Sequence, residues 1–267
     1  MLANWLELQG KTVVVTGGSS GIGDAIVREL VTQNVNVVNA DLKEGKFQAK
    51  NLMFVQTDVT SPAAVESLVE QVVAKYGTID GLVNNAGINL PRLLVDDKQP
   101  KGQYELTEAA FNKMFAVNVK SVFLMSQAVG RILVHKHEGV IVNMSSEAGL
   151  EGSIGQSVYS ATKGAINSFT RSWAKELGQY NVRVVGIAPG IMEATGLRTP
   201  AYEEALAYTR HKTVEQLRAG YKSTSTTPLG RSGHLSEVAD LVCYYLSNRS
   251  SYITGVTTNV AGGKSRG

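Results

Sequence analysis

Seven short apolar runs rich in β-branched residues, spaced by longer stretches of helical periodicity, constrain what this 267-residue chain can fold into. Such side chains suit a pleated backbone, and runs without polar alternation suit strands covered on both faces. The runs fall at 12–16, 35–40, 52–56, 81–84, 140–145, 182–188 and 257–260. Helical patterns lie between them at 22–33, 62–76, 108–135, 159–179 and 235–247. Strand and helix in alternation are the pattern of βαβ units, which predicts an α/β fold built on a doubly wound parallel sheet. Ser61-Pro62 marks one helix start, a capping hydroxyl followed by proline at the first helical position. No repeat, low-complexity tract or linker divides residues 1–267, so a single domain is expected.

Two segments interrupt the alternation. Residues 89–105 hold two prolines, Asp96-Asp97 and the cations Arg92, Lys98 and Lys101, and residues 195–231 hold polar helical stretches. Long connections in a compact domain are mostly functional, and ligands of such folds bind beyond the carboxyl ends of the strands. Both segments are therefore expected to form substrate-facing walls.

Bulk properties exclude several function classes. A formal net charge of +3 is too small and dispersed for a nucleic-acid partner. Cys243 is the only cysteine, which rules out an intrachain disulfide and suits a reducing cytoplasm; its apolar helical setting suggests inert core. Residues 1–11 lack the pattern of a signal peptide, and no apolar stretch is expected to span a membrane. Four histidines, two of them (His135 and His137) at a helix end, give no metal site.

The first strand runs into Thr16-Gly17-Gly18-Ser19-Ser20-Gly21-Ile22-Gly23 and then a helix. Glycines there permit a tight turn and let a pyrophosphate approach backbone N–H groups at a helix N-terminus, the device of a Rossmann-type dinucleotide fold. The spacing is Gly-x-x-x-Gly-x-Gly, not the commoner Gly-x-Gly-x-x-Gly. Asp41 ends the second strand, where a carboxylate accepts hydrogen bonds from ribose hydroxyls and repels a 2′-phosphate. With Ser20 before Gly21 and Leu42 after Asp41, that favours NAD over NADP.

Tyr159 and Lys163 stand one helical turn apart, so phenol and ammonium share a helix face. A tyrosine ordinarily titrates near ~10, and lowering it to ~7 takes about 4 kcal/mol. A nearby ammonium together with a cationic cofactor is a source of that stabilisation.

Taken together, Thr16 to Gly23, Asp58-Val59, Asn84-Asn85-Ala86-Gly87, Asn118, Ser146, Tyr159, Lys163 and Pro189-Gly190 resemble the short-chain dehydrogenase/reductase family over nearly the whole chain. The resemblance implies a catalytic set of Asn118, Ser146, Tyr159 and Lys163, with Ser146 thirteen positions before the tyrosine. Tyr159 would act as general base or acid, Ser146 would hold the substrate oxygen, and Lys163 would lower the phenol pKa and bind the nicotinamide ribose. Asn118 would hold a water for proton relay. Cofactor contacts would come from Gly17, Ser19, Ser20, Gly21, Ile22, Gly23, Asp41 and Leu42. Asp58 and Val59 would lie at the adenine, Asn85, Ala86 and Gly87 along the cofactor, and Pro189, Gly190 and Ile191 at its nicotinamide end. One departure is Ala194, where the family often has threonine; Thr195 follows it.

Asn89-Leu90-Pro91-Arg92-Leu93-Leu94-Val95-Asp96, Ser145-Ser146-Glu147 through Leu150-Glu151-Gly152, Leu197-Arg198-Thr199-Pro200 and the segment Ala261 to Gly267 resemble family members that interconvert sorbitol 6-phosphate and fructose 6-phosphate with NAD. Glu147 would then contact polyol hydroxyls and Arg92 or Arg198 the phosphate, with Arg210 and Lys212 in the same wall. Alternatives are another small alcohol or ketone, or a non-catalytic dinucleotide sensor. Helices apolar over much of their circumference, which pair across subunits in the family, imply a homotetramer.

Overall fold

In the computed structural model, residues 5–265 are described; Met1 to Asn4, part of the segment read for a signal peptide, and Arg266-Gly267 of the C-terminal motif lie outside them. Seven strands form one parallel sheet: β1 (Thr12–Thr16), β2 (Asn36–Asp41), β3 (Leu52–Gln56), β4 (Gly81–Asn84), β5 (Gly139–Met144), β6 (Val182–Pro189) and β7 (Thr257–Val260). Their order is β3-β2-β1-β4-β5-β6-β7, so the winding reverses between β1 and β4. Register is continuous across that reversal, Val14 pairing with Val38 on one side and with Leu82 on the other.

The period of two along each strand divides the core into two layers. Val13, Val15 and Val37 pack with Ile26 and Leu30 of α1 (Gly21–Thr32) and Val238 and Val242 of α9 (Leu235–Leu246). Val14 and Val38 face the other way, onto Leu68 and Val72 of α2 (Pro62–Tyr76) and Met125 and Val129 of α4 (Ser121–Lys136). As its sequence predicts, α2 starts at Ser61, whose hydroxyl accepts from Ala64 N at 3.4 Å, and it ends at Gly77, where φ is 78°.

The helix expected over 108–135 is divided. α3 (Glu108–Phe115) passes into one wide π-turn at Ala116–Lys120 before α4 begins. Buried Asn118 lies in that turn, and its side chain clamps the backbone of Ile88 through Ile88 N to Oδ1 and Nδ2 to Ile88 O, both 2.8 Å. Widened turns of this kind recur at functional sites. By length and composition the run Glu108–Lys136 is also apolar enough to cross a membrane, a correction to the sequence expectation; much of its apolar face packs on the sheet.

Three further helices shape the upper rim: α5 (Ala148–Glu151), α7 (Pro200–Thr209) and α8 (Val214–Gly220), with α6 (Ser157–Leu177) carrying Tyr159 and Lys163. Thr199 caps α7 by accepting from Tyr202 N at 3.2 Å, ahead of Pro200. Thr213 and Gln216 form a reciprocal capping box on α8.

Polar groups inside the sheet are joined across elements. Asn84 Nδ2 donates to Ser126 Oγ and Asn143 Oδ1, both at 2.9 Å, and Asn143 Nδ2 donates to Thr170 Oγ1 at 3.0 Å. These bonds tie β4, β5, α4 and α6 together directly beneath the rim. Asn143→Ala removes both a donor and an acceptor from this buried chain and is expected to cost about 2–3 kcal/mol. Urea unfolding should show a lower midpoint with an unchanged slope.

Candidate active site

The reversal of strand order opens a crevice above β1 and β4, where ligands of open α/β sheets bind. One cavity there, about 300 Å³, is floored by the glycine turn. Gly17 adopts φ 66°, and a Cβ on Gly23 would come within 2.0 Å of Gly17 O. The loop closes that tightly only with glycine, which leaves the N-terminus of α1 open to an anionic pyrophosphate. Asp41 stands at the far end, its carboxylate held by Ser19 N at 3.1 Å and Leu42 N at 2.7 Å. Asp58 also lines the wall, its pKa lowered first by the Thr60 hydroxyl, which donates at 2.7 Å. These features fit a dinucleotide.

Of the residues expected at the cofactor, Gly17, Ser20 to Gly23, Asp41, Leu42, Asp58, Val59, Asn85 to Gly87, Tyr159, Lys163 and Pro189 line this cavity. Ser19 is not among its lining residues; its hydroxyl donates to Lys43 O and accepts from Asn39 Nδ2. Gly190 and Ile191 line the neighbouring cavity instead. Asn118 is behind the wall: a Cβ on Gly87 would sit 3.3 Å from Asn118 Oδ1 and 3.7 Å from Lys163 Nζ.

The second cavity, about 270 Å³, meets the first at Tyr159, Ser145 and Pro189. The Tyr159 phenol stands close enough to the hydroxyl of Ser146, which follows β5, for the serine to oppose part of the rise in its pKa. Lys163 Nζ donates to Met144 O at 2.7 Å and stands 5.8 Å from the Tyr159 ring centroid. Burial pushes the phenol up to about 12, with Tyr202 and Glu147 adding to the rise, and pushes the Lys163 ammonium down to about 8. Lysine alone therefore does not lower this tyrosine, and the chain's own groups hold it protonated at neutral pH. A protonated phenol beside a serine hydroxyl can hydrogen-bond a carbonyl oxygen and donate a proton to it.

Of the two expected wall segments, 195–231 supplies most of one side of this cavity, whereas 89–105 supplies only Asn89 among the described residues. Arg92 is therefore corrected: its Nη1 donates to Pro91 O at 2.6 Å, its guanidinium lies over Tyr104, and it is not on the cavity wall. Arg92 N bonds Gly155 O at 2.7 Å, which folds the loop behind the site. Tyr208 OH, donating to Asp96 Oδ2 at 2.9 Å, ties the two segments to each other.

Arg198 does line the cavity, stacked 3.7 Å from the Tyr221 ring centroid, and so do Arg210 and Lys212. Glu147 lines it too and is ion-paired with Lys264 from beyond β7. Thr195, left open by the sequence, lines both cavities. Sequence reasoning missed Gln156, which no motif marks, as a wall residue; Tyr202 and Lys264 lie within segments it singled out, though it did not name either as a wall residue. Among the described residues there is no cluster of metal-ligating side chains.

Comparison with known proteins agrees with this architecture. The short chain dehydrogenase family model matches residues 11–205, and the chain belongs to that family, making it an oxidoreductase that binds a nicotinamide dinucleotide. A curated relative is the sorbitol-6-phosphate 2-dehydrogenase of Klebsiella pneumoniae, 60% identical over 265 residues, covering 98% of this chain and 99% of that one. Among solved structures, the 3-ketoacyl-(acyl-carrier-protein) reductase of Brucella melitensis, complexed with NADH, superposes with TM-score 0.80 at 27% identity, covering 97% of this chain and 100% of its own. The aldohexose dehydrogenase of Thermoplasma acidophilum gives 0.81 at 26%, covering 97% and 95%.

Tyr159 titration is directly measurable. In the ligand-free protein, wild type and Tyr159→Phe should show the same phenolate absorbance up to about pH 11, one extra phenolate appearing in wild type only above that. A difference already present at pH 8 would contradict the assignment.

Proposed function

We propose that this chain interconverts sorbitol 6-phosphate and fructose 6-phosphate with NAD. One observation carries the reading. Residues 195–231 contain four arginines: Arg218 and Arg231 pair with Glu203 and Glu237, while Arg198 and Arg210 line the cavity with no carboxylate partner among the described residues. Arg210 is held by neutral acceptors, Ser153 Oγ at 2.9 Å and Gln156 Oε1 at 3.4 Å. Unneutralised guanidinium groups on the cavity that Tyr159 also lines suit a phosphorylated substrate. The identity of 60% to the Klebsiella pneumoniae sorbitol-6-phosphate 2-dehydrogenase supports the same substrate.

In this reading the substrate oxygen lies between Ser146 and Tyr159. For reduction, protonated Tyr159 donates to the ketone oxygen; for oxidation, its phenolate takes the alcohol proton. The dinucleotide, when bound, supplies the hydride carrier and a positive charge near the phenol. Lys163, buried against Met144 O, adds charge on the same side, and Asn118, bonded to Thr162 Oγ1 at 3.1 Å, stands where a proton relay to solvent would run. The residues that would hold the dinucleotide are those of the glycine turn, Asp41, Asp58 and Asn85 to Gly87. Asp41 favours NAD by repelling a 2′-phosphate. Glu147, whose Oε1 pairs with Lys264, takes substrate hydroxyls, and Arg198 with Arg210 takes the phosphate. Half-exposed Phe111 and Phe123 on the long helix support a homotetramer, and the buried free thiol of Cys243 suits the cytoplasm.

Turnover of sorbitol 6-phosphate with NAD, set against free sorbitol and NADP, tests the assignment. Fast reaction only with NAD and the phosphorylated polyol is expected; no reaction with either sugar would sink it. Oxidation should rise with pH, because it needs the phenolate, and reduction should fall. Tyr159→Phe should abolish both while leaving dinucleotide binding intact. Asp41→Ser should lower kcat/KM for NAD by roughly 10- to 100-fold, the worth of one or two charge-assisted hydrogen bonds, and raise turnover with NADP.

A further inference from the structure

Nine buried side-chain nitrogen or oxygen atoms have no hydrogen-bond partner among the described residues, and three belong to residues of the substrate cavity: Asn89 Oδ1, Glu147 Oε2 and Arg198 Nη2. Folded proteins satisfy nearly all such groups internally, so a cluster of them on one cavity is an imprint of what binds there. Two acceptors and a cationic donor match a molecule with several hydroxyls and one anionic group.

Asn89 belongs to a wider arrangement. Tyr202, on α7, accepts at its phenolic oxygen from Gln156 Nε2 at 3.1 Å and from Asn89 Nδ2 at a longer 3.4 Å. Two donors on that oxygen leave the phenol's own proton to point elsewhere, and it has no acceptor among the described residues. Gln156 is in turn braced by Arg210, whose Nη2 approaches its Oε1 at 3.4 Å. All four side chains line the cavity. Burial raises the Tyr202 pKa, so the hydroxyl stays a donor at neutral pH.

We propose that Tyr202 and Asn89 read the hydroxyls of an extended polyol: Tyr202 O–H donates to one, and Asn89 Oδ1 accepts from another. Both are specificity-determining residues, and Gln156 is a positioning residue that fixes the direction of the Tyr202 hydroxyl. The proposal rests on the polyol-phosphate reading, but concerns the chain of hydroxyls rather than the phosphate. A site built to hydrogen-bond hydroxyls rejects analogues that lack them, because its own polar groups are then left unpaired.

The test compares sorbitol 6-phosphate with 5-hydroxyhexyl phosphate, which keeps the phosphate and the reacting carbinol but lacks the other hydroxyls. Tyr202→Phe and Asn89→Leu should each lower kcat/KM for sorbitol 6-phosphate by roughly 10- to 100-fold, mostly through KM. Values for 5-hydroxyhexyl phosphate should move less than about twofold, as should NAD affinity measured by fluorescence. Equal losses on both substrates, or no loss on either, would overturn the proposal. If wild type ignores both phosphates, the function reading falls, and the same variants are compared on sorbitol and 2-hexanol. There, loss of a wild-type preference for the polyol supports the hydroxyl reader; an unchanged ratio, or a wild type with no such preference, overturns it.

Discussion

The approach of α6 to the end of β5 governs everything above the sheet. Gly149 of α5 lies against the backbone of Lys163, where an added Cβ would come within 2.6 Å of the carbonyl carbon. Three bonds fix the contact: Ser145 Oγ to Lys163 O at 3.2 Å, Lys163 Nζ to Met144 O at 2.7 Å, and Asn167 Nδ2 to Gly149 O at 3.1 Å. Because Ser146 follows the strand and Tyr159 precedes Lys163 by one turn, docking the helix at this depth brings the serine and the phenol together. Catalytic geometry is thus set by main-chain packing, with the reactive groups carried along.

Polar groups differ in what they hold on the two sides of that contact. Beneath it, the amides of Asn84 and Asn143 and the hydroxyls of Ser126 and Thr170 join strands and helices into one framework. Above it, amide, carboxylate and guanidinium groups of the cavity keep atoms unpaired. The first arrangement joins four elements even though Asn84 Oδ1 is left without a partner among the described residues; the unpaired atoms of the second belong to cavity-lining residues, where a ligand can make the deficit good.

The sheet was legible in the sequence because most of its strands are short runs dominated by apolar, β-branched residues, and all seven appear within a residue or so of their expected bounds. The dinucleotide turn and the positions of Tyr159, Lys163 and Ser146 were legible for a related reason: local spacing along one strand end or helix face decides them. The division of the long helix at Asn118 was not, since a tertiary bond to Ile88, thirty residues away, accompanies it. Arg92 was misplaced because charge in a loop says nothing about which way the loop folds, and here Gly155 and Tyr104 turn it behind the site. Gln156 and Tyr202 meet only in three dimensions, from segments without a shared pattern.

The ion pair between Glu147 and Lys264, together with the bond from Leu229 N to Gly262 O at 3.2 Å, fastens the segment beyond β7 onto the substrate side of the molecule. Among the described residues, the dinucleotide cleft takes no lining residue later than Leu197, whereas the neighbouring cavity takes Lys264, beyond the last strand. Cutting the chain back past Lys264 would therefore remove a wall of the substrate cavity while leaving every lining residue of the dinucleotide cleft in the polypeptide.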